Sequence, residues 1–241
     1  MEPFFLILLF VVAFLYSSVG HGGASGYLAL MTLFGVATEL MKPAALLLNI
    51  FVSFVSFYQF YRGGYFKWKL FYPFALASVP MAFIGSLVAI DAVTYKRILG
   101  LLLIFAIPRL FGFAGKESAE QKEVNLYLAL FIGALIGFLS GMIGIGGGII
   151  LSPLILFLSW GNMKQTAPVS ALFIFVNSIA GMIGLLLKGN TIHQIIYEWL
   201  IIALLGGLLG AYYARKNFSN QLLKQLLGIV LIIASIKLLF A

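Results

Sequence analysis

SSVGHGGASG at residues 17–26 and GMIGIGGGIILSP at residues 141–153 are the two stretches from which the fold of this chain is read. Each places a cluster of glycines between two apolar runs, and glycine at that density interrupts a helix. At an offset of 124 residues, Phe14, Leu15, Gly20, Gly22 and Gly23 fall on Phe138, Leu139, Gly144, Gly146 and Gly147. The correspondence continues outward. At an offset of 125, Pro43, Ser53, Gly64 and Gly85 fall on Pro168, Ser178, Gly189 and Gly210; at 128, Lys96, Leu99, Gly100, Ala106 and Leu110 fall on Lys224, Leu227, Gly228, Ala234 and Leu238. Pro, Lys and Gly matched in one order with few small gaps point to an internal repeat, not to a chance alignment of Leu- and Gly-rich sequence.

The 241 residues are 63% hydrophobic and 9% charged, with a mean hydropathy of +1.11. A water-soluble core cannot bury that much apolar surface, so the expected class is an all-α polytopic membrane protein. Apolar runs at 3–19, 24–37, 43–61, 70–90 and 95–113 make five segments in the first half, and runs at 126–143, 149–160, 168–187, 194–214 and 221–240 make five in the second. The second segment of each set is short for a span of roughly 20 residues. The expected organisation is one membrane domain over 1–241, with repeat 1 at 1–114, a connecting loop at 115–125 and repeat 2 at 126–241. The opening MEPFFLILLFVVAFLYSSVG has no basic stretch before its apolar run. It is therefore expected to be the first helix and not a cleaved signal peptide.

The net charge of +8 comes from 15 Lys and Arg scattered singly over loop positions, a pattern that sets topology and offers no face to nucleic acid. The chain has no cysteine, which excludes a thiol relay, a disulfide and a cysteine-ligated metal. Treating all ten segments as crossings puts Arg62, Lys67, Lys69, Arg109, Lys116, Lys122, Lys164, Arg215, Lys216 and Lys224 on one side and Lys42, Lys96, Arg97, Lys188 and Lys237 on the other. Fusing each short segment with the one before it divides the basic residues about evenly and gives no orientation. The ten-segment arrangement is expected, with five segments per repeat inverting the second copy and both termini outside the cytoplasm. A re-entrant hairpin keeps that parity if its limbs count as two half-crossings.

The breaks are the candidate site. In hydrocarbon an interrupted helix exposes unpaired N–H and C=O groups, so the break must lie against protein or a cavity. Glycine lets a ligand approach the backbone, and the segment after each break starts with free N–H groups at the positive end of a helix dipole, which suits an anion. Gly20, His21, Gly22 and Gly23 in the first break, and Gly144, Gly146, Gly147 and Gly148 in the second, are the candidate backbone contacts. The third segments add polar side chains at Asn49 and Ser53, one turn apart, and at Ser170, Asn177 and Ser178. Both third segments begin with proline, Pro43 or Pro168, which suits a helix start. Interhelical bonding and close packing are the competing readings for these residues; packing is preferred for Gly85, Gly100, Gly206, Gly207, Gly210 and Gly228. His21 corresponds to Ile145 in the second half, so any role for it is asymmetric, either as a buried hydrogen-bonded ring or as a group that answers to pH. His193, beside Thr191 and Gln194, is expected to be solvated.

The carboxylates sit at terminal or loop positions such as Glu2, Glu39, Asp91 and Glu198. Cation pumps and proton relays usually keep Asp or Glu in mid-membrane, so amides, hydroxyls and N–H groups without carboxylates favour an anion. Proton coupling in such a chain falls to His21; otherwise the anion follows its gradient. No metal motif, cofactor motif, phosphate loop or catalytic dyad is present, so neither an enzyme nor a cofactor is expected. A channel, or a carrier of a carboxylate or another small solute, is the alternative to an anion carrier.

The paired breaks, the GIGGGIILSPLIL run, KQTAPVSALFIFVNSIAG after it and PAALLLNIFVS in the first half together resemble the sulfite exporter TauE/SafE family, also called toluene sulfonate uptake permeases, over nearly the whole chain. The resemblance implies a prokaryotic inner-membrane permease with two repeats, moving sulfite, thiosulfate or an organosulfonate by alternating access. It implies a small anion and the lipid bilayer as partners, no nucleic acid, and leaves a homo-oligomer open. Ala167, Pro168 and Val169 stand before Ser170 where Gly-Thr-Ser is more usual in the family.

Single cysteines placed in this cysteine-free chain at Lys67 and Lys122 are expected to react with impermeant reagents from the cytoplasmic side alone, and those at Ala92 and Asn190 from outside alone. Ala92 and Lys216 are related by the repeat; labelling of both from one side would show the repeats to be parallel.

Overall fold

The computed structural model describes residues 3–110, 121–216, 231–233 and 235–240, which contain helices and loops and no strand. The helices are α1 (Pro3–Ser18), α2 (Ala24–Leu33), α3 (Thr38–Tyr61), α4 (Trp68–Leu87), α5 (Ala92–Leu110), α6 (Leu126–Ile143), α7 (Gly148–Phe157), α8 (Met163–Leu187) and α9 (Ile195–Lys216), followed by helical residues within 231–240. Gly228, Lys224 and most of the segment expected over 221–240 lie outside the described residues, as does most of the connecting loop. By length and composition, α3, α4, α6, α8 and Ile195–Tyr213 of α9 can each cross a membrane.

The second segments are shorter than their apolar runs. α2 and α7 have ten residues each, about 15 Å of helix against a hydrocarbon core of about 30 Å, so neither crosses alone. Both end in the same left-handed cap. Gly35 (φ 68°) stops α2 with the Val36 N–H donating to the Met31 carbonyl, and Ser159 (φ 58°) stops α7 with the Trp160 N–H donating to the Ile155 carbonyl. The third segments start earlier than their prolines, which are the sixth residues of α3 and α8. Asn162 starts α8 through a capping box with Gln165. α5 likewise starts at Ala92, because the Asp91 carboxylate accepts from the Thr94 N–H (2.9 Å) and hydroxyl (2.6 Å); those bonds hold its carboxyl below the usual carboxylate range.

α1 and α2 form a hairpin. The Phe5 and Phe34 rings meet edge to face at 5.3 Å, at the start of one helix and the end of the other. At its closed end the Tyr16 and Ser25 hydroxyls pair at 2.6 Å. At the hairpin's open end, where α1 begins and α2 ends, Lys237 donates to the carbonyls of Thr32 and Leu33, and near the same end of the bundle the Lys42 ammonium donates to the Ser86 carbonyl. At the far end the Lys122 N–H donates to the Ser159 carbonyl, and Lys164 lies over the Tyr65 ring. α6 therefore enters from the end opposite to α1, and α7 returns to that end.

The helices are held by backbone contact at glycine. α4 packs along α6 and α9 along α1, while α3 lies on α8 at the centre. Gly133, Gly137 and Gly141, one turn apart on α6, face the carbonyls of Phe74, Ser78 and Ala82, and Gly85 on α4 faces that of Phe138. Gly206 and Gly210 on α9 face the carbonyls of Phe10 and Phe14. Gly207 meets Val52, and Gly100 meets Leu238 and Leu239. These are small-residue helix interfaces, where a side chain would force the backbones apart.

Gly137→Leu is expected to separate α4 from α6 and destabilise the protein by about 1–3 kcal/mol, read as a lower melting temperature in detergent. Gly64→Asn is the control: Gly64 is at φ 76° with open space around it, a conformation Asn tolerates, and its melting temperature should match that of the unsubstituted protein.

Candidate functional site

The two breaks meet between α3 and α8. Asn49 is the twelfth residue of α3 and Ile174 the twelfth of α8. Gly22 from the first break and Gly146 from the second each lie against both side chains. Asn49, fully buried, offers a different atom to each. Its Oδ1 accepts the Ala24 N–H at 3.1 Å, the first N–H of α2; its Nδ2 faces Gly146, where a built Cβ would lie 2.7 Å away. Asn49 thus caps α2, whose preceding Gly23 (φ 102°) has no side chain to do so.

The second break has no such cap. Ala24 corresponds to Gly148 and Asn49 to Ile174, whose apolar side chain reaches Gly148 and offers it no acceptor. The N–H groups of Ile145, Gly146, Gly147, Gly148 and Ile149 make no hydrogen bond among the described residues. Around them stand Asn49 Nδ2, Ser178 Oγ beside Gly146 and Ser140 Oγ beside Gly147, all buried and without a partner among the described residues. Buried polar groups are almost always paired, and here eight donor groups with no partner among the described residues stand together.

The other residues singled out from sequence divide. Ser53 donates to the Asn49 carbonyl in its own helix at 2.5 Å, and Asn177 Nδ2 to that of Phe173 at 2.8 Å; neither makes a bond to a break, although Asn177 Oδ1 is unpaired. Gly20 (φ 80°) packs on Ala167, where a built Cβ would lie 2.6 Å from the alanine's own. Gly144 (φ 89°) closes α6 against Lys42. His21 joins the breaks: its Nε2 lies 3.0 Å from Ser152 Oγ and 3.3 Å from the Gly148 carbonyl, its Nδ1 lies 3.1 Å from the Val19 carbonyl, and Ser152 pairs with Ser170 at 2.5 Å. His193 is in an exposed loop contact, its Nδ1 facing the Ile195 N–H at 3.4 Å. Sequence reasoning passed over Ser140, Ser152 and Lys42. Ser140 corresponds to Tyr16 at the repeat offset, and Ser152 lies one turn from Gly148 on the same face, so both were within reach of the repeat and the helical period.

A cavity of about 230 Å³ opens at the end of the bundle where α1 begins, and Lys42, Lys188, Tyr95 and Met142 are among its lining residues. Tyr95 donates to the Ile143 carbonyl at 3.0 Å, so the cavity reaches the end of α6, where the second break starts. At the far end Phe60 packs on Ala167, against which the first break also rests.

Residues 5–238 match the family model described as sulfite exporter TauE/SafE. The chain is 37% identical over 238 residues to "Probable membrane transporter protein y4hK" of Sinorhizobium fredii, covering 97% of this chain and 96% of that one. It is 27% identical to "Probable membrane transporter protein MJ0441" of Methanocaldococcus jannaschii, with 84% and 80% covered, and 26% identical to "Probable membrane transporter protein YdhB" of Bacillus subtilis, with 92% of each. No solved structure matches the chain. With its apolar helices and a match over nearly its full length, the chain is a multi-pass transporter of the cell membrane and belongs to the sulfite exporter TauE/SafE family.

Proposed function

We propose that this transporter carries a small sulfur oxyanion or sulfonate, bound at the second break and exposed alternately to the two ends of the bundle. The observation that carries the proposal is the run of five N–H groups at Ile145–Ile149, unpaired among the described residues, beside the buried Asn49 Nδ2, Ser140 and Ser178. An oxyanion presents several strong acceptors in a small volume, and each bond from a buried neutral donor to a charged acceptor is worth about 1.5–3 kcal/mol. The start of α7 adds the positive end of its dipole. Ile174 fills the space between the breaks, so an anion enters by displacing that side chain.

Two inverted copies account for the arrangement. Gly85 on the Phe138 carbonyl and Gly210 on the Phe14 carbonyl are one contact made twice, at offsets of 125 and 124. The α1–α2 and α6–α7 hairpins enter from opposite ends. Because each hairpin counts as two half-crossings and the breaks carry no Lys or Arg, the charge count still places the cavity end outside the cytoplasm. The cavity, with Lys42 and Lys188 in its lining, admits an anion from that side; Gly20, Ala167 and Phe60 close the other. Opening the far end and closing the cavity completes a transport cycle around the site. The site is complete within one chain, with the lipid bilayer as its surroundings.

Ile174→Asn tests the proposal, since it places in the second half the residue that caps the first. It is expected to satisfy the Gly148 N–H, raise the melting temperature, and weaken thiosulfate binding about tenfold, read by thermal shift. Tighter or unchanged binding would remove the break from the site. Asn49→Ala should weaken binding by about 1 kcal/mol or more, whereas Ser53→Ala, which loses only a bond within α3, should leave it unchanged. In proteoliposomes thiosulfate or sulfite should move and sodium, potassium and divalent cations alone should not.

A further inference from the structure

We propose that His21 is the proton site of this transporter and that one proton accompanies each anion; this rests on the second break as the anion site. His21 is 2% exposed and belongs to the first break, yet its ring reaches α7 at Ser152 and at the carbonyl of Gly148. Gly148 contributes one of the unpaired N–H groups, so the imidazole sits one peptide unit from the anion.

The ring has a complete set of partners in both protonation states. In the neutral form Nδ1 donates to the Val19 carbonyl, 3.1 Å away, and Nε2 accepts from the Ser152 hydroxyl, 3.0 Å away. The Ser170 hydroxyl donates to Ser152 in turn. In the charged form Nδ1 still donates to Val19, and Nε2 donates to the Gly148 carbonyl or to Ser152 Oγ, whose own hydrogen turns to Gly148 at 3.0 Å or to Ser170. Rotation of hydroxyl hydrogens converts one network into the other while every heavy atom stays in place. The proton adds to the Nε2 lone pair and later leaves from the same atom. Imidazole changes charge near neutral pH without a strong external push.

The surroundings leave this role to His21. On α1 the Tyr16 phenol pairs with Ser25, and on α2 the Tyr27 phenol donates to the Gly22 carbonyl at 2.7 Å. α7 carries no titratable residue. The ionisable groups of α3 near the cavity, Glu39 and Lys42, and Lys164 of α8 under Tyr65 stand toward the ends of the bundle. A charge on His21 is therefore a positive charge added beside the anion at low dielectric, and by linkage the anion raises proton affinity as much as the proton raises anion affinity. The ring also ties the first break to α7, so proton and anion act on the contact between the two halves of the molecule.

The test uses the full chain in proteoliposomes with pyranine inside and radiolabelled thiosulfate outside, an anion that stays fully ionised between pH 5 and 8. Thiosulfate should be taken up, the interior should acidify as it enters, and an inward proton gradient should speed uptake several-fold. His21→Gln keeps hydrogen-bonding capacity and loses the titration. It is expected to lose acidification and gradient response at least tenfold, with its melting temperature in detergent reporting whether the variant is folded. Uptake without acidification in the unsubstituted protein would overturn the proton site and leave the anion site standing. No uptake of thiosulfate or sulfite at any pH would overturn the anion reading, and this inference with it. Unchanged acidification in His21→Gln would remove His21. If that variant fails to fold, Ser152→Ala decides: a displaced pH profile of uptake supports the assignment, and an unmoved profile contradicts it.

Discussion

The hydrogen bond from the Ala24 N–H to Asn49 Oδ1 is the interaction on which the arrangement depends. A chain that breaks its helices in the middle of a membrane bundle must give each freed N–H a partner, because lipid supplies none and each orphan costs several kcal/mol. The first break meets part of that requirement within the protein: Asn49 takes the Ala24 N–H, while the N–H groups of Gly22, Gly23, Ser25 and Gly26 make no hydrogen bond among the described residues. In the second, built on the same glycine pattern, Gly148 meets Ile174 where Ala24 meets Asn49, and the Gly148 N–H has no partner among the described residues. The two breaks look alike in sequence, yet only the first has a side chain that caps the N–H opening its second helix.

The glycine contacts make that difference usable. Where α6 lies on α4, and α9 on α1, backbone meets backbone at Gly133, Gly137, Gly141, Gly206 and Gly210, and such interfaces have little room to slide. Each hairpin is gripped by the fourth helix of the other half. α3 and α8 pack against each other between them, carrying Asn49 and Ile174 at their midpoints. His21 is bonded across that junction.

Much of this was legible in the chain. Glycine clusters between apolar runs, the repeat offset and Asn49 on an apolar segment are all visible in one dimension, because each defies what a plain membrane helix needs. The rest depends on contacts that one dimension does not carry. Ser53 and Asn177 share faces with the expected site, yet each bonds to a carbonyl one turn back in its own helix, a choice that periodicity cannot reveal. Ser140 and Ser152 are single hydroxyls in apolar helices, and they stand out only once the opposite backbone is known. The left-handed turn at Ser159 ended α7 before its apolar run did, since a hydrophobic sequence continues through a cap without a mark. Pro43 and Pro168 marked helix starts five residues late: the Asn162 capping box had already begun α8, and α3 starts at Thr38 with no side-chain cap.

Diffraction from crystals grown with selenate, a tetrahedral oxyanion with a strong anomalous signal, locates the anion. An anomalous peak is expected whose oxygens lie about 3 Å from the N–H groups of Gly147 and Gly148 and from Asn49 Nδ2, with the Ile174 side chain turned aside. A peak confined to the cavity near Lys42 and Lys188, with the second break unchanged and Ile174 in place, would contradict the proposed site.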